Sequence, residues 1–145
     1  MLHCNYNKTI HGDNMKQLLL IIDVKCYEPI SVKGSETEII MVPFGGTAHS
    51  EHFHGEIMGN AIDTQKFSLK SGKCNFSARY MLKGIDKNGN NCKLFIENEL
   101  IDDNCWKPTI VTDSEYLLHW EKLTLTASVD VTEKDVTVKI YGSDV

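Results

Sequence analysis

Hydrophobic and polar residues alternate with a period of two along most of the chain, which is the spacing of side chains on the two faces of a β-strand. In the first such segment Leu18, Leu20 and Ile22 fall on one face, whereas Asp23 and Lys25 fall on the other. No stretch shows a convincing helical period of 3.6. We therefore predict strands over residues 17–27, 37–43, 51–58, 62–70, 74–84, 91–100, 116–131 and 135–142.

Turn-forming residues separate these segments. Asn88-Gly89 lies between two apolar runs and is typical of a type I′ hairpin turn, and Gly59-Asn60 and Ser71-Gly72 are weaker signals of the same kind. Gly45-Gly46 predicts a sharp corner in the chain. Residues 101–115 form one long connection, and loops of this length are often lids or binding loops.

Eight strands joined mainly by short turns predict an all-β antiparallel meander. Such a meander can close on itself and so remove its exposed edges. We therefore predict a closed eight-stranded antiparallel up-and-down β-barrel with a small interior cavity, wide enough for side chains or one small ligand. A two-layered sandwich is the competing architecture. We expect the barrel to be a single domain over residues 17–145 and the polar residues 1–16 to form a loose N-terminal tail.

Charge and cysteine content narrow the function classes. The chain of 145 residues has a formal net charge of −5, one arginine and no lysine-rich run. We therefore do not expect the basic face with which nucleic-acid-binding proteins displace counterions from phosphates. The apolar run at residues 18–22 is too short for a membrane span or for the core of a signal peptide. The five cysteines are widely spaced. We expect a cytoplasmic protein with free thiols that binds neither nucleic acid nor membranes, with Cys105 as the one candidate nucleophile among them.

Polar side chains interrupt the inward-facing apolar rows at six positions. These positions are Asp63, Gln65, Tyr80, Asn98, His119 and Glu121. A buried carboxylate without a partner is costly, so we expect Asp63 to be paired, hydrated or at the rim. The strand directions place the first three residues at one end of the barrel and the last three at the other, together with the 101–115 loop.

Asp63 and Tyr80 are the candidate catalytic residues, with the carboxylate as base and the phenol as hydrogen-bond donor to a substrate oxygen. A structural role for Asp63, bonding backbone amides at the turn after Gly59-Asn60, is equally consistent with the sequence. The candidate ligand-binding residues are Gln65, Arg79, Asn98, Trp106, His119 and Trp120. Arg79 points outward by parity, where an ion pair is the simpler interpretation. His119 is a lone histidine in an apolar row, and such a histidine is more often a hydrogen-bonded core residue than a catalyst.

A metal site is a further candidate. His52, His54 and Glu56 share one face of a predicted strand, and two imidazoles with a carboxylate can bind Zn²⁺ or Fe²⁺. With Gly46 six residues ahead of His52, the spacing resembles the opening of a cupin motif. The rest of that motif is missing, and Phe53 belongs to the inward row. We therefore predict a solvated outer face here, with no metal and no cofactor.

Several short motifs occur in an order that carries a family resemblance. They are Met41–Thr47, Phe53–Ile57, Gly59–Asp63 with Gln65, Ala78–Leu82 followed by Asp86–Gly89, and Leu117–Leu123 with Trp120. In this order they resemble the bacterial and fungal domain-of-unknown-function family 3237. Departures are Thr64, where the family usually has an aromatic residue, and His52 and His54, where it often has Arg- or Lys-like residues.

The resemblance covers the chain from Ile22 to Gly142. It implies an eight-stranded antiparallel barrel, similar to the allene oxide cyclase and dirigent barrels, and it implies no established activity. Carried over by position, it selects a set of residues to test first. They are Asp63, Gln65, Arg79, Tyr80 and Asn98.

The leading functional hypothesis is a barrel that binds one small, mostly apolar molecule in its lumen. An isomerase, cyclase or lyase reaction would follow from confinement and from acid–base chemistry of Asp63 and Tyr80. The alternatives are a non-catalytic carrier of a small ligand, a cupin-like metalloenzyme that uses His52, His54 and Glu56, and a packed barrel that serves only in oligomerisation. The sequence leaves open whether the protein is an enzyme and whether it forms a homo-oligomer.

Overall fold

The computed structural model describes residues 16–101, 106–133 and 135–144, so residues 1–15 of the predicted tail and Cys105 lie outside it. Within that part the strands are β1 (Gln17–Cys26), β2 (Ile30–Lys33), β3 (Thr37–His49), β4 (Phe53–Ile57), β5 (Ala61–Ser68), β6 (Cys74–Asp86), β7 (Asn91–Ile101), β8 (Trp106–Thr112), β9 (Thr124–Val131) and β10 (Val136–Ser143). A short 3₁₀ helix spans Leu118–Lys122. None of the described segments is a helix long and apolar enough to cross a membrane.

The strands close into an eight-stranded antiparallel barrel. From β1 the hydrogen-bonded order runs through β10, β9, β8, β7 and β6. Both β4 and β5 pair with β6 on one side and with β3 on the other, and β3 pairs back with β1. This last pairing completes the ring, which confirms the barrel and excludes the sandwich.

Two of the eight barrel strands are interrupted. β1 and β2 pair with successive halves of β3, and β4 and β5 do the same along its opposite edge. β4 and β5 run in the same direction, so the residues around Asn60 form a break within one barrel strand, and Asn60 has a φ of 71°. The hairpin turn predicted at Gly59-Asn60 is therefore wrong.

A second difference restores the strand number. The predicted loop over residues 101–115 contains β8, and the predicted strand over residues 116–131 begins with the 3₁₀ helix and becomes β9 only at Thr124. One strand is thus lost where β4 and β5 join, and one is gained at β8. The eight-stranded prediction is confirmed, although the segments that compose it differ.

At two places the backbone conformation around glycines differs from the turn that the sequence predicts. β3 does not turn at Gly45-Gly46 but continues to His49. Gly46 has a φ of 139°, and a Cβ there would collide with the Asp23 carbonyl oxygen, so glycine allows β1 and β3 to approach. The hairpin between β6 and β7 is confirmed, but of Asn88-Gly89 only Gly89 has a positive φ, 82°. This pattern is a type I turn with a glycine bulge, not a type I′ turn.

A β-bulge between Leu18 and Leu20 changes the inward-facing register of β1. Leu19 is buried, whereas Leu18 is exposed, so the predicted inward position of Leu18 is wrong. From Leu20 onward the predicted alternation holds, with Leu20 and Ile22 buried. The extra residue of the bulge accounts for the shift, because side chains on a strand repeat every second residue.

One end of the barrel is tightly packed. Six aliphatic side chains from four strands are fully buried there: Leu20, Ile22, Leu82, Leu94, Ile96 and Ile140. The segment before β9 closes this end with Leu117 and with Trp120, which is 1% exposed. The His52 ring meets Trp120 edge-on at a centroid distance of 5.7 Å, and its Nδ1 lies 3.0 Å from the Tyr116 hydroxyl. We call residues 114–122 the plug.

The Asp86 carboxylate ties the plug to the β6–β7 hairpin. Its Oδ1 accepts hydrogen bonds from the backbone N–H groups of Asn88 and Asn90, at 2.9 and 3.1 Å. Its Oδ2 accepts one from the Ser114 hydroxyl at 2.7 Å, and the Ser114 oxygen in turn accepts the Leu117 N–H. These donors, led by Ser114, lower the pKa of Asp86 below its ordinary value of 3.8.

Asp86→Asn is expected to lower the Tm at pH 7 by ~5–10 °C, because it weakens a hydrogen-bonded network at a buried position. A carboxyl with a lowered folded-state pKa stabilises the fold above pH 3.8, and this stabilisation disappears as the pH falls through the folded-state value. The Tm difference between variant and wild type should therefore shrink at pH 3. Thermal denaturation at both pH values measures it, with the exposed Asp130→Asn as control. An equal deficit at both values would contradict the role of the ionised carboxylate.

Candidate functional site

A cavity of about 250 Å³ occupies the end of the barrel opposite the plug. Its lining comprises Val24, Cys26, Val42, Phe44, Asp63, Gln65, Phe76, Ala78, Tyr80, Asn98, Trp106, Val129, Val131, Val136 and Val138. Cys26 is exposed and Val131 is 73% exposed, so the cavity reaches solvent at this end. We call this end the mouth. A lumen of this kind is the usual ligand site of a small barrel.

The space exists where inward-facing side chains become shorter toward the mouth. Along β1 the inward row passes from Ile22 through Val24 to Cys26, along β10 it passes from Ile140 to Val136, and Ala78 is the small inward residue of β6. Leucine and isoleucine fill the plugged end, where they are fully buried. Valine and alanine in a barrel of the same circumference leave unfilled volume.

The polar residues of the cavity gather on the wall formed by β5, β6 and β7. Asp63 pairs with Ala78, and Ala78 pairs with Asn98, so the carboxylate and the amide flank a small side chain at one level of the barrel. Tyr80 is the next inward residue along β6, one step toward the plug. Gln65 is the next inward residue along β5, one step toward the mouth. All four line the cavity.

Asp63 has the electrostatics of a group adapted to proton transfer. Burial raises the pKa of its carboxyl, and a hydrogen bond from Gln65 Nε2 to Oδ2, 2.9 Å long, offsets part of that rise. Its Oδ1 is buried and has no hydrogen-bond partner among the described residues. Burial, with a smaller contribution from the Asp63 charge, also raises the pKa of the Cys26 thiol. A carboxyl with a raised pKa in a cavity is a candidate general acid or base.

Tyr80 has the properties of a hydrogen-bond donor. Burial raises the pKa of its hydroxyl far above the ordinary value of 10, so the phenol keeps its proton at neutral pH. The ring packs edge-on against Phe44, with centroids 5.1 Å apart and an interplanar angle of 75°. This contact restricts the ring and orients its hydroxyl. Tyr80 and Asp63 are diagonal neighbours on adjacent strands, a distance that a tyrosine side chain spans.

The predicted site residues fall into two groups. Asp63, Tyr80, Gln65, Asn98 and Trp106 all line the cavity. The remaining three candidates do not, and they are Arg79, His119 and Trp120.

These three residues lie in different parts of the structure, all outside the cavity lining. The Arg79 side chain is 67% exposed on the outer face, with Nε 3.4 Å from Glu97 Oε2, which agrees with its outward parity. His119 is exposed, so its predicted inward position is wrong, because the segment is a 3₁₀ helix and does not alternate as a strand. Trp120 is buried in the plug, at the far end from the cavity.

The predicted separation of the polar residues into two ends is also wrong. Asp63 was expected at the start of a strand and hence at a barrel end, but it lies midway along the continuous β4–β5 strand. Asn98 lies near the end of β7, which is the mouth end, and it shares the level of Asp63 through Ala78. Only His119 and Glu121 belong to the other end. Glu121 there accepts a hydrogen bond from the Thr112 backbone N–H at 2.9 Å.

The candidate metal ligands do not converge. His54 and Glu56 are exposed on the outer face of β4, while His52 precedes the strand and contacts Tyr116 in the plug. Phe53 is buried, as its parity predicts. In residues 16–101, 106–133 and 135–144, no three His, Cys, Asp or Glu side chains form a group that could hold a metal ion.

The apolar wall of the cavity was not predicted from the sequence. This wall, opposite the polar one, consists of Val24, Val129, Val131, Val136 and Val138. The signal was present in the change from leucine and isoleucine to valine along the inward rows. Cys26, at the end of β1, shows the same decrease in size.

Comparison with known proteins establishes the fold. Neither the family models nor the curated proteins contain a match to this chain. A protein of unknown function from Clostridium acetobutylicum ATCC 824 has a similar structure, with a TM-score of 0.75, 20% sequence identity, and coverage of 93% of this chain and 100% of that chain. A β-barrel-like protein from Acinetobacter baumannii AYE gives a TM-score of 0.65 at 16% identity, with coverage of 94% and 99%.

A third structure, described as an enzyme from Penicillium herquei, gives a TM-score of 0.71 at 12% identity, with coverage of 94% of this chain and 98% of that chain. At such low identities these similarities concern the barrel architecture alone.

Proposed function

We propose that the protein binds one small, mostly apolar molecule in the barrel lumen and rearranges it by acid–base catalysis, as an isomerase, cyclase or lyase. The observation that carries this proposal is the 250 Å³ cavity in which Asp63, Gln65, Tyr80 and Asn98 meet on one wall. A packed structural barrel has no use for a carboxyl whose burial raises its pKa. A barrel of similar architecture from Penicillium herquei is described as an enzyme, which is compatible with catalysis by this fold.

In an isomerase or cyclase reaction Asp63 removes a proton from the bound molecule and returns it at a second position, and in a lyase reaction it passes the proton to the departing group as that bond breaks, so that no external acid or base is consumed. Tyr80 donates a hydrogen bond to a substrate oxygen on which negative charge develops. The valine wall presses the molecule against the polar wall and keeps bulk water out of the reacting region. The gain in rate would come from orientation and from a low-dielectric site.

A non-catalytic carrier is the second candidate, favoured by the valine wall, which binds apolar surface without any chemistry. A carrier needs the lumen but not the acid–base pair. Asp63→Asn and Tyr80→Phe would then leave ligand affinity and biological function unchanged. The free thiols of Cys26, Cys74 and Cys92 support a cytoplasmic location for either candidate, and the family 3237 resemblance is compatible with both.

Blocking the lumen tests ligand binding directly. Ala78→Phe places a ring between Asp63 and Asn98, and it should weaken binding of the uncharged two-ring fluorophore prodan at least ~10-fold, because it fills much of the 250 Å³. Fluorescence titration measures the affinity. Val111→Phe, on the outer face of β8 where Val111 is 54% exposed, is the matched control and should bind as wild type does. Equal binding by both variants would place the fluorophore outside the lumen and contradict the proposal.

A further inference from the structure

The cavity has two chemically different walls. β5, β6 and β7 contribute the polar groups Asp63, Gln65, Tyr80 and Asn98, whereas β1, β9 and β10 contribute mainly valines. A ligand that fits both walls has an apolar face and one polar edge. An apolar cavity of about 150 Å³ accepts benzene, so 250 Å³ suits a molecule of one or two rings.

The polar wall presents hydrogen-bond acceptors that lack donors. Asn98 is 3% exposed, and its Oδ1 has no partner among the described residues; the same is true of Asp63 Oδ1. The Gln65 amide, the nearest donor on β5, already donates to the other oxygen of Asp63. Buried acceptors in folded proteins almost always have a donor, so these two oxygens are complementary to O–H or N–H groups of a ligand.

The cavity also lacks a group that would balance an anion. Its lining within the described part of the chain includes no Lys, Arg or His. Arg79, the one arginine of the chain, lies on the outer face beside Glu97. A carboxylate or phosphate on the ligand would be desolvated without a cation and would face the Asp63 carboxyl.

We infer that the lumen selects an uncharged alcohol or phenol of one or two rings, whose hydroxyl edge lies against Asp63 and Asn98 and whose apolar face lies against the valines. This inference rests on the proposed ligand-binding function and specifies its ligand class. Asn98 becomes the residue that determines specificity for a donor. Anionic molecules of the same size and shape are rejected.

A matched series of naphthalenes separates these properties. 2-Naphthol carries a donor, 2-methoxynaphthalene replaces the donor by an ether, naphthalene carries no polar group, and 2-naphthoate is an anion. Isothermal titration calorimetry with the full chain at pH 7 should rank 2-naphthol about 10-fold tighter than the ether or naphthalene. 2-Naphthoate should bind at least ~10-fold more weakly than naphthalene.

Two variants test whether Asn98 causes the preference for 2-naphthol. Asn98→Leu removes the acceptor at similar size, and should reduce the preference for 2-naphthol over 2-methoxynaphthalene to about threefold or less while retaining naphthalene binding. Thr109→Leu, on an outward position of β8, is the control and should keep the wild-type ranking.

The outcomes are distinguishable. If naphthalene and the ether bind as tightly as 2-naphthol, or if 2-naphthoate binds best, the ligand class is wrong although the lumen still binds small molecules. If no member of the series binds and Ala78→Phe has no effect on prodan binding, the proposed function fails as well. An unchanged preference in Asn98→Leu would overturn the assignment of Asn98.

Discussion

Trp120→Ala is expected to reduce the free energy of unfolding by about 4 kcal/mol, the largest stability effect of any single substitution proposed for this protein. The indole is 1% exposed and closes the packed end of the barrel, in contact with the His52 ring. Its removal leaves a void lined by aliphatic side chains. This void cannot collapse, because the hydrogen bonds between strands fix the circumference of the barrel. Urea denaturation followed by circular dichroism measures the loss.

The second tryptophan supplies the control. Trp106 is half-buried at the mouth and lines a cavity that already exists, so Trp106→Ala should cost only about 1 kcal/mol. The same residue type is thus removed from a filled and an unfilled end of the same barrel. Similar losses for the two variants would contradict the division of the interior into a packed end and an open end.

Asp63→Asn is expected to have the largest effect on chemistry. A two-ring ketone, 2-tetralone, serves as a probe, because exchange of its α-hydrogens in D₂O requires a base and is assisted by a donor to the carbonyl oxygen. The protein should accelerate this exchange, and Asp63→Asn should reduce the protein-dependent rate by ~100-fold or more. Nuclear magnetic resonance of the ketone measures the exchange. No acceleration by the wild-type protein would remove the catalytic proposal and favour the carrier.

The same variant should become more stable, which separates a functional carboxyl from a structural one. Because burial raises the folded-state pKa of Asp63, ionisation opposes folding, and the stability of the wild type decreases as the pH rises from 3.8 through the folded-state value. The asparagine cannot ionise and avoids this loss. We expect its Tm to exceed that of the wild type by ~3 °C at pH 7 and to match it near pH 3.

The exposed Asp130→Asn should show no such pH-dependent gain. A lower Tm for Asp63→Asn at pH 7 would instead assign Asp63 to the support of the fold. Asp86 provides the opposite case within the same molecule, since hydrogen bonds lower its pKa and its ionised form stabilises the protein.

The alternation of side chains was sufficient to predict a closed all-β barrel, because strand periodicity is a local property of the sequence. It could not distinguish a turn from a break at Gly59-Asn60, since both need a residue with positive φ, and only pairing with β3 and β6 decides the direction of the chain. β8 was missed because Pro108 and the neighbouring polar residues resemble a loop. Here tertiary pairing overrides local preference.

Inward parity correctly selected Asp63, Gln65, Tyr80 and Asn98 as cavity residues, because a polar residue in an apolar row is visible in the sequence. Their grouping on one wall was not visible. It depends on the continuous β4–β5 strand, which moves Asp63 from a barrel end to the level of Asn98. The inward prediction for His119 failed where the period of two itself ended.

The two breaks in the barrel wall flank β3 at nearly the same height, since β1 stops pairing at Phe44 and β5 starts pairing there. Beyond that height β2, the first half of β3, and β5 surround the mouth, while the buried aliphatic residues and the plug lie on the other side. Changes of loop length or side-chain size around the mouth therefore leave the stabilising half of the molecule intact. A descendant protein can acquire a lumen of different shape through a few valine or alanine replacements, without first acquiring a new scaffold.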